Sequence, residues 1–227
     1  MYFYDWTYAI LIPGIIITAL AQMMVQSIFK KYAQVASRKG ITARQLAEHL
    51  LHSEGVTNVP VEKCAGHLSD HYDPRSMVLR LSESTCDTTS VAALGVAAHE
   101  CGHVLQHRDG YAPLMLRNVS APVVSIGSNV AWPLFVLGLV LSWEPLLYVG
   151  ILLFLAVVLF SLITLPVEFN ASRRAIAALT EGGYLFEDEV SGAKKVLNAA
   201  ALTYVASAAM AILQLLRLLV LANRRRD

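Results

Sequence analysis

The chain has 227 residues, of which 56 % are hydrophobic and only 15 % are charged. Soluble globular domains average about 45–50 % apolar and about 25 % charged residues, so this composition predicts a membrane protein. The formal net charge of +1 gives no sign of the basic surface that binds nucleic acid, and we expect no nucleic-acid partner. The three cysteines form no C-x-x-C pair, which fits a reducing compartment better than a disulfide framework.

The first apolar run, residues 6–25, contains no charged residue and is long enough for a span of about 20 residues. Asp5 precedes it where a signal peptide would carry positive charge, so we predict an uncleaved membrane anchor rather than a cleaved signal peptide. Basic residues follow the run and place the next segment on the cytoplasmic side. They are Lys30, Lys31, Arg38 and Lys39.

A polar segment over about residues 29–118 contains all of the histidines and most of the charges. Its apolar spacing predicts a short helix over residues 43–51 with Thr42 as N-cap. It also predicts a longer helix over about residues 90–106, with N-cap candidates at residues 87–90. Residues 77–82 predict a strand. Two roles stay open for it, a core strand or an edge strand that holds an extended peptide substrate.

Two more apolar runs, over residues 123–143 and 145–167, are separated by a turn and predict a transmembrane hairpin. The hairpin would return the chain to the side of the first basic cluster, where further basic residues follow it: Arg173, Arg174, Lys194 and Lys195. The last run, over residues 199–222, contains Arg217 and is followed by three arginines. Because an arginine within a span is costly and a triple arginine outside is unusual, whether this helix crosses the membrane stays open.

The sequence H-E-C-G-H at residues 99–103 is the H-E-x-x-H pattern on a predicted helix. Residues four apart lie on one helix face, so His99 and His103 can reach a single Zn²⁺. Glu100 stands beside the first ligand and is the candidate general base. The rest of this helix is apolar, which argues against two solvated surface histidines because buried imidazoles need partners.

A catalytic zinc site needs a third protein ligand, and three residues are candidates. Asp109 stands where a longer zinc-protease motif has histidine, but Gln106 replaces the glycine turn of that motif. His107 lies one turn further along the helix, which favours a supporting or surface role over ligation. Glu168 directly follows an apolar run on the predicted side of the motif, although a lone glutamate there is more often an ordinary interfacial charge.

The zinc motif, together with the downstream sequence P-V-E-F-N-A-S-R-R-A at residues 166–175, resembles the gluzincin membrane peptidases. In the CAAX prenyl protease and heat-shock HtpX group, the third ligand opens an E-x-x-x-D motif. The chain is more similar to the bacterial YugP-like neutral zinc metallopeptidase family, a resemblance that also includes D-H-Y-D-P at residues 70–74. This resemblance implies that Glu168 is the third zinc ligand and Glu100 the general base. Ser172 stands where the prenyl proteases have aspartate.

We therefore predict a mainly α-helical membrane protein with a zincin-like H-E-x-x-H helix, a small strand element and about four hydrophobic helices. Its predicted function is a zinc-dependent endopeptidase of membrane or membrane-associated proteins, with His99, His103 and Glu168 as metal ligands and Glu100 as catalytic base. The alternative is a membrane scaffold that keeps zinc for structure. The predicted segments are an N-terminal transmembrane helix (1–28), a soluble zincin-like segment (29–120), a transmembrane hairpin (121–167), a third-ligand helix with a polar segment (168–198) and a C-terminal hydrophobic helix (199–227).

The expected location is the cell membrane, crossed several times, with the active site facing the cytoplasm. The expected partners are a protein or peptide substrate and the lipid bilayer, and the expected cofactor is Zn²⁺. Three further polar residues are His71, Tyr72 and Asp73. They fit a structural turn better than a catalytic role, because Asp73 is directly followed by a proline, a pair that favours turns.

Overall fold

A computed structural model describes residues 5–224, and most of them are helical, as predicted. The last two of the three C-terminal arginines, residues 225 and 226, lie outside the described part. The helices are a 3-10 helix Trp6–Leu11 continuing into α1 (Ile12–Ala33), then α2 (Ala43–Ser53), α3 (Val91–Arg108), α4 (Ala112–Leu141), α5 (Glu144–Glu181) and α6 (Glu187–Asn223). The strands are β1 (Val61–Cys64), β2 (His71–Asp73) and β3 (Val78–Ser82).

Within residues 5–224, four helices are long and apolar enough to span a membrane: Trp6–Ala33, α4, α5 and α6. Two of them extend well beyond the apolar runs that mark them in the sequence. The helix α5 continues from Val167 to Glu181, and α6 begins at Glu187. A helix needs residues of good helical propensity rather than apolar ones, and the alanine-rich stretch after Glu168 provides them.

The chain divides into two compact units. We call the first the helical unit; it contains the described parts of Met1–Gln22, Ala112–Pro166 and Leu202–Asp227. The second, which we call the sheet unit, contains Met23–Tyr111 and Val167–Ala201.

In the helical unit, glycines allow α4 and α5 to pack closely. A Cβ on Gly138 would lie 2.7 Å from the backbone nitrogen of Leu147. A Cβ on Gly150 would lie 2.9 Å from the carbonyl oxygen of Ala131. Both positions therefore require glycine for the helices to approach this closely. Such small-residue contacts are typical of helix packing in lipid, where no hydrophobic effect drives association.

Arg217 of α6 is only 4 % exposed and is fully partnered within the helical unit. Its Nη2 donates to Oδ2 of Asp5 at 3.1 Å, and its Nε donates to Oγ1 of Thr7, also at 3.1 Å. Its guanidinium also lies 3.8 Å from the ring centroid of Tyr8 and 5.4 Å from that of Trp132. The charge that made the last apolar run ambiguous is thus buried with a carboxylate and two aromatic rings, which offset the cost of placing a charge inside an apolar helix.

In the sheet unit, α2 forms as the sequence predicts. Thr42 is its N-cap and forms a capping box with Gln45, and an apolar face that includes Leu46 and Leu50 is buried. The predicted strand is β3, but it lies at the centre of the sheet, whose order is β1-β3-β2. It pairs in parallel with β1 and antiparallel with β2, so of the two roles left open the core strand is confirmed and the edge strand is wrong.

The core of the sheet unit packs the sheet and α2 against α3. Leu79 and Leu81 of β3 are fully buried in this cluster together with Leu94 of α3. The cluster also includes Leu179 of α5 and Leu197 of α6. The part of α5 that follows Pro166 is therefore held against α3, which brings residues 69 positions apart in sequence into contact.

Candidate metal centre

The helix α3 begins where the sequence predicts. Ser90 is its N-cap, with Oγ accepting from the backbone nitrogen of Ala93. The helix lies almost entirely inside the core, so the polar residues of the motif are surrounded by protein. Their spacing of four places His99 and His103 on one face, with ring centroids 4.8 Å apart.

Glu168 reaches these histidines because α3 and α5 approach at Gly102. A Cβ on Gly102 would lie 2.6 Å from the carbonyl oxygen of Ala171, closer than real Cβ atoms come to backbone. Only glycine therefore permits this separation of the two helices. The approach directs Glu168, which is 2 % exposed, and Ser172 one turn later toward the imidazoles of α3.

His99, His103 and Glu168 form a group whose potential ligand atoms all lie within 4.8 Å of one another. Oε2 of Glu168 lies 3.2 Å from Nε2 of His99 and 3.7 Å from Nε2 of His103. Two imidazole nitrogens and one carboxylate are a donor set that suits zinc. A carboxylate this deeply buried also needs a neighbouring positive charge, which a divalent cation would provide. The residues present therefore fit a metal ion.

The outer nitrogen of each imidazole also has a partner. Nδ1 of His99 lies 3.1 Å from Oγ of Ser172, and Nδ1 of His103 lies 3.0 Å from Oε1 of Gln106. Metal-binding histidines usually use their second nitrogen in this way, which fixes the orientation of the ring. Ser172, which stands where the prenyl-protease pattern has aspartate, is thus within hydrogen-bond distance of an imidazole of the motif.

Sequence reasoning missed the role of Gln106, which it noted only as a departure from another motif. Gln106 is fully buried three residues after His103, a spacing at which helical side chains meet. That spacing was the available signal. Its amide partners on α5, the carbonyl oxygen of Val167 at 2.8 Å and Oδ1 of Asn170 at 2.9 Å, follow only from the tertiary packing.

Glu100 is buried beside the group and contacts the edge strand β2. Its Oε2 accepts a hydrogen bond from the backbone nitrogen of Tyr72 at 3.1 Å. In β2, Tyr72 lies opposite Leu79 of β3, whose own nitrogen donates to Pro60 on the β1 side. The backbone nitrogen of Tyr72 therefore points away from the sheet and toward α3.

The other candidate ligands lie outside the group of three. Nδ1 of His107 is 2.8 Å from the hydroxyl of Tyr72. Asp109 forms ion pairs with Arg108 at 2.8 Å and with Arg174 at 2.5 Å. Arg173, next to Arg174 in α5, is exposed. Of the two arginines, Arg174 is therefore paired within the protein, whereas Arg173 lies at the surface.

The prediction that His71, Tyr72 and Asp73 form a turn is wrong: they are the edge strand β2, which pairs with β3, and the turn is formed by the residues that follow them, 74–77. Asp70 accepts from the backbone nitrogen of Ser82 at 2.7 Å and from the hydroxyls of Ser82 and Thr85. Asp73 accepts from the hydroxyl of Ser76 and from the backbone nitrogen of Arg75. These hydrogen bonds hold the pKa of Asp73 at about 2, so the turn keeps its charge at neutral pH.

Electrostatics near the group favour ionised carboxylates. Burial alone would lower the pKa of His103, but the hydrogen bond to Glu168 and the charges of Glu100 and Glu168 raise it overall. Hydrogen bonds from Arg108 and Arg174 lower the pKa of Asp109. The carboxylates around His103 therefore favour a positive charge at that position, whereas the charge of Asp109 is already paired with two arginines.

Two histidines and a glutamate converge from two helices in a chain whose described residues include four helices apolar enough to span a membrane, an arrangement that fits a membrane metalloprotein. The chain belongs to the family described as "putative neutral zinc metallopeptidase", whose model matches residues 7–223. It is also 46 % identical over 207 residues to the "Putative membrane protease YugP" of Bacillus subtilis (strain 168). That similarity covers 91 % of this chain and 92 % of the relative. No solved structure matches the chain.

Proposed function

We propose that this protein is a zinc-dependent endopeptidase that hydrolyses peptide bonds of membrane or membrane-associated proteins at the cytoplasmic surface. The observation that supports it best is the convergence of His99, His103 and Glu168, with Glu100 buried next to them. Membership of a zinc metallopeptidase family supports the metal and the reaction class. The particular residues and their roles are our proposal.

In this proposal His99 and His103 hold zinc through Nε2 and Glu168 holds it through its carboxylate. Three protein ligands are typical of catalytic zinc sites, whereas structural sites usually have four. When bound, zinc acts as a Lewis acid that makes water a nucleophile near neutral pH and polarises the scissile carbonyl.

In this proposal Glu100 acts first as the general base and then as the general acid. It takes one proton from the attacking water as the water oxygen bonds to the carbonyl carbon of the substrate. It then gives that proton to the amide nitrogen as the carbon–nitrogen bond breaks, which leaves a free acid and a free amine. The hydrogen bond from Tyr72 to Oε2 holds the side chain in place. It also leaves Oε1 as the oxygen that accepts the proton.

We propose that the substrate lies beside β2. This strand is at the edge of the sheet, and its Tyr72 backbone faces α3 rather than β3. Extended peptides commonly add to such an edge as a further strand. A substrate in that place would pass next to Glu100.

We place the site on the cytoplasmic side because two clusters of basic residues lie in the sheet unit, which contains the site. Lys30 and Lys31 end α1, and Lys194 and Lys195 lie early in α6. The positive-inside rule assigns both clusters to the cytoplasm.

The orientation is tested by introducing a cysteine at exposed Ser53 in the Cys64→Ser background and labelling it from each side of the membrane. The remaining cysteines, Cys86 and Cys101, are buried and should not react. Labelling from the cytoplasmic side alone is expected, and labelling from outside alone would reverse the assignment.

The function is tested with Glu100→Gln, which keeps the shape of the side chain but removes its basicity. We expect the variant to bind zinc as the wild type does and to cleave an unfolded protein in detergent about 10²–10⁴-fold more slowly, the usual contribution of general acid–base catalysis. Glu62→Gln, the same change at an exposed position of β1, is the matched control and should cleave normally.

Equal cleavage by Glu100→Gln and the wild type would sink the protease proposal. If neither cleaves any substrate while both bind zinc, the alternative of a membrane scaffold with a structural zinc would take its place.

A further inference from the structure

Four further residues extend from His103 toward the protein surface in one continuous chain of hydrogen bonds. Nδ1 of His103 contacts Oε1 of Gln106 at 3.0 Å, and Nε2 of Gln106 donates to Oδ1 of Asn170 at 2.9 Å. Nε of Arg174 donates to the same Oδ1 at 3.0 Å, and Nη1 of Arg174 donates to Asp109 at 2.5 Å. The chain crosses from α3 to α5 and back to the end of α3.

We propose that this chain, which we call the amide relay (His103, Gln106, Asn170, Arg174 and Asp109), positions His103 as a metal ligand by fixing which of its nitrogens carries the proton. The inference rests on the zinc centre of the proposed function and adds positioning residues to it. It assigns a role to Gln106, Asn170 and Arg174.

Arg174 sets the direction of the relay, because its guanidinium can donate hydrogen bonds but never accept them. Asn170 must therefore turn its oxygen toward Arg174, and the distance of 3.0 Å is that of an ordinary hydrogen bond. The same oxygen faces Gln106, so Gln106 must present its NH₂ group there. The second acceptor of that NH₂ group, the carbonyl of Val167, demands the same orientation.

With its NH₂ group committed to α5, Gln106 can offer only its oxygen to His103. An amide oxygen accepts and never donates, so Nδ1 of His103 must carry the proton. The lone pair of the neutral ring is then on Nε2, which faces Glu168 at 3.7 Å. That is the tautomer a metal ion between these residues requires.

His99 has no comparable constraint. Its Nδ1 faces the hydroxyl of Ser172, which can either donate or accept. The two imidazoles thus differ: His103 is held in one tautomer by residues of two helices, whereas His99 is oriented but not forced.

The relay also keeps the surroundings of the imidazoles neutral. Ser172 and Gln106 contribute no charge where carboxylates often stand behind zinc-bound histidines. Near the group, the carboxylates of Glu168 and Glu100 then match the two positive charges of a zinc ion. An arginine provides the direction of the relay from a distance, with its own charge paired to Asp109.

The test measures the zinc affinity of the purified full-length protein in detergent by competition with a chromophoric chelator, without substrate. Arg174→Met should weaken zinc binding measurably but less than about tenfold, below the range for a direct partner of a metal ligand, because the carbonyl of Val167 still holds Gln106. Arg173→Met, the same change at the exposed neighbouring arginine, is the matched control and should bind as the wild type does.

Substitutions at Gln106 separate positioning from packing. Gln106→Leu should weaken zinc binding about 10–100-fold, because Nδ1 of His103 loses its acceptor. Gln106→Met keeps the length of the side chain and should lose affinity by the same factor, because it also lacks the acceptor oxygen. Equal affinity of Arg174→Met and Arg173→Met, or wild-type affinity of Gln106→Met, would overturn the inference.

Where a variant fails to fold, the inference is tested by NMR on the zinc-loaded wild type with ¹⁵N-labelled histidine rings. The Nδ1 proton of His103 should exchange with solvent more slowly than that of His99, and an equal or reverse order would overturn the inference. Failure of the proposed function looks different: the wild type would then bind no zinc, or Glu100→Gln would still cleave.

Discussion

The two units bury polar side chains in different ways. In the helical unit, the buried charge of Arg217 is in direct contact with a carboxylate, a hydroxyl and an aromatic ring. In the sheet unit, hydrogen bonds between polar side chains link α5 to α3 and end at the imidazoles of His99 and His103. The first arrangement offsets the free-energy cost of burying a charge. The second orients the imidazoles of residues that can hold a metal ion.

This difference shows that burial of a polar residue alone does not identify a functional site. Arg217 and Glu168 are both buried charged residues within long apolar helices. Of these two, only Glu168 faces groups that can bind a further ion, and only there does the surrounding network continue beyond the first contacts. The partners of a buried charge therefore distinguish a structural pair from a candidate site.

The largest effect is expected from removing Glu168. In Glu168→Ala, zinc affinity should fall more than about a hundredfold, beyond the range of about 10–100-fold for an outer partner, because a ligand itself is lost. Asp109→Ala should reduce affinity less than about tenfold, since Asp109 only anchors Arg174. Metal content after gel filtration and chelator competition measure both.

The opposite ranking, with Asp109→Ala losing zinc and Glu168→Ala retaining it, would move the third ligand to Asp109. It would also remove the contrast between Glu168 and the structural charge Arg217.

A smaller effect is expected from Gly102→Ala, which compares helix packing in the two units. The new Cβ would lie 2.6 Å from the carbonyl of Ala171, and such overpacking costs about 1–3 kcal/mol of unfolding free energy. This cost should exceed the gain of about 1 kcal/mol that alanine brings to a helix. Thermal unfolding in detergent should show a lower midpoint, and zinc affinity should fall as α5 moves away from α3.

Gly127→Ala in α4 is the matched control, because its Cβ would meet Leu153 at an ordinary distance of 3.6 Å. It should leave zinc affinity unchanged and raise the unfolding midpoint or leave it alone. If Gly102→Ala behaves in the same way, the close approach at Gly102 does not position Glu168.

Much of the fold could be predicted from the sequence because its signals are local. Apolar runs identify the four helices that can span a membrane, and the N-caps Thr42 and Ser90 mark the starts of α2 and α3. The spacing of His99 and His103 follows from helical periodicity alone. Helix lengths were less predictable, because helices continue past the end of an apolar run where helix-forming residues follow.

The remaining features depend on contacts between distant residues. Nothing local in residues 77–82 shows that β3 pairs on both sides, so its position in the sheet could not be read from the strand itself. The nearness of Glu168 to the histidines needed a family resemblance, because it depends on how two helices far apart in sequence pack. The partners of Gln106 on α5 had no signal in the sequence, because they arise at the same helix contact.

The pair between Asp5 and Arg217 has a consequence for how the protein is made. The carboxylate belongs to Asp5, and its guanidinium partner lies 212 positions later in the chain. A chain emerging from the ribosome therefore presents Asp5 long before Arg217 exists. Until α6 is synthesised and inserted, the N-terminal helix must keep that carboxylate hydrated or shielded, because an unpaired charge is costly in hydrocarbon. Assembly of the helical unit is thus completed only after α6 has been translated.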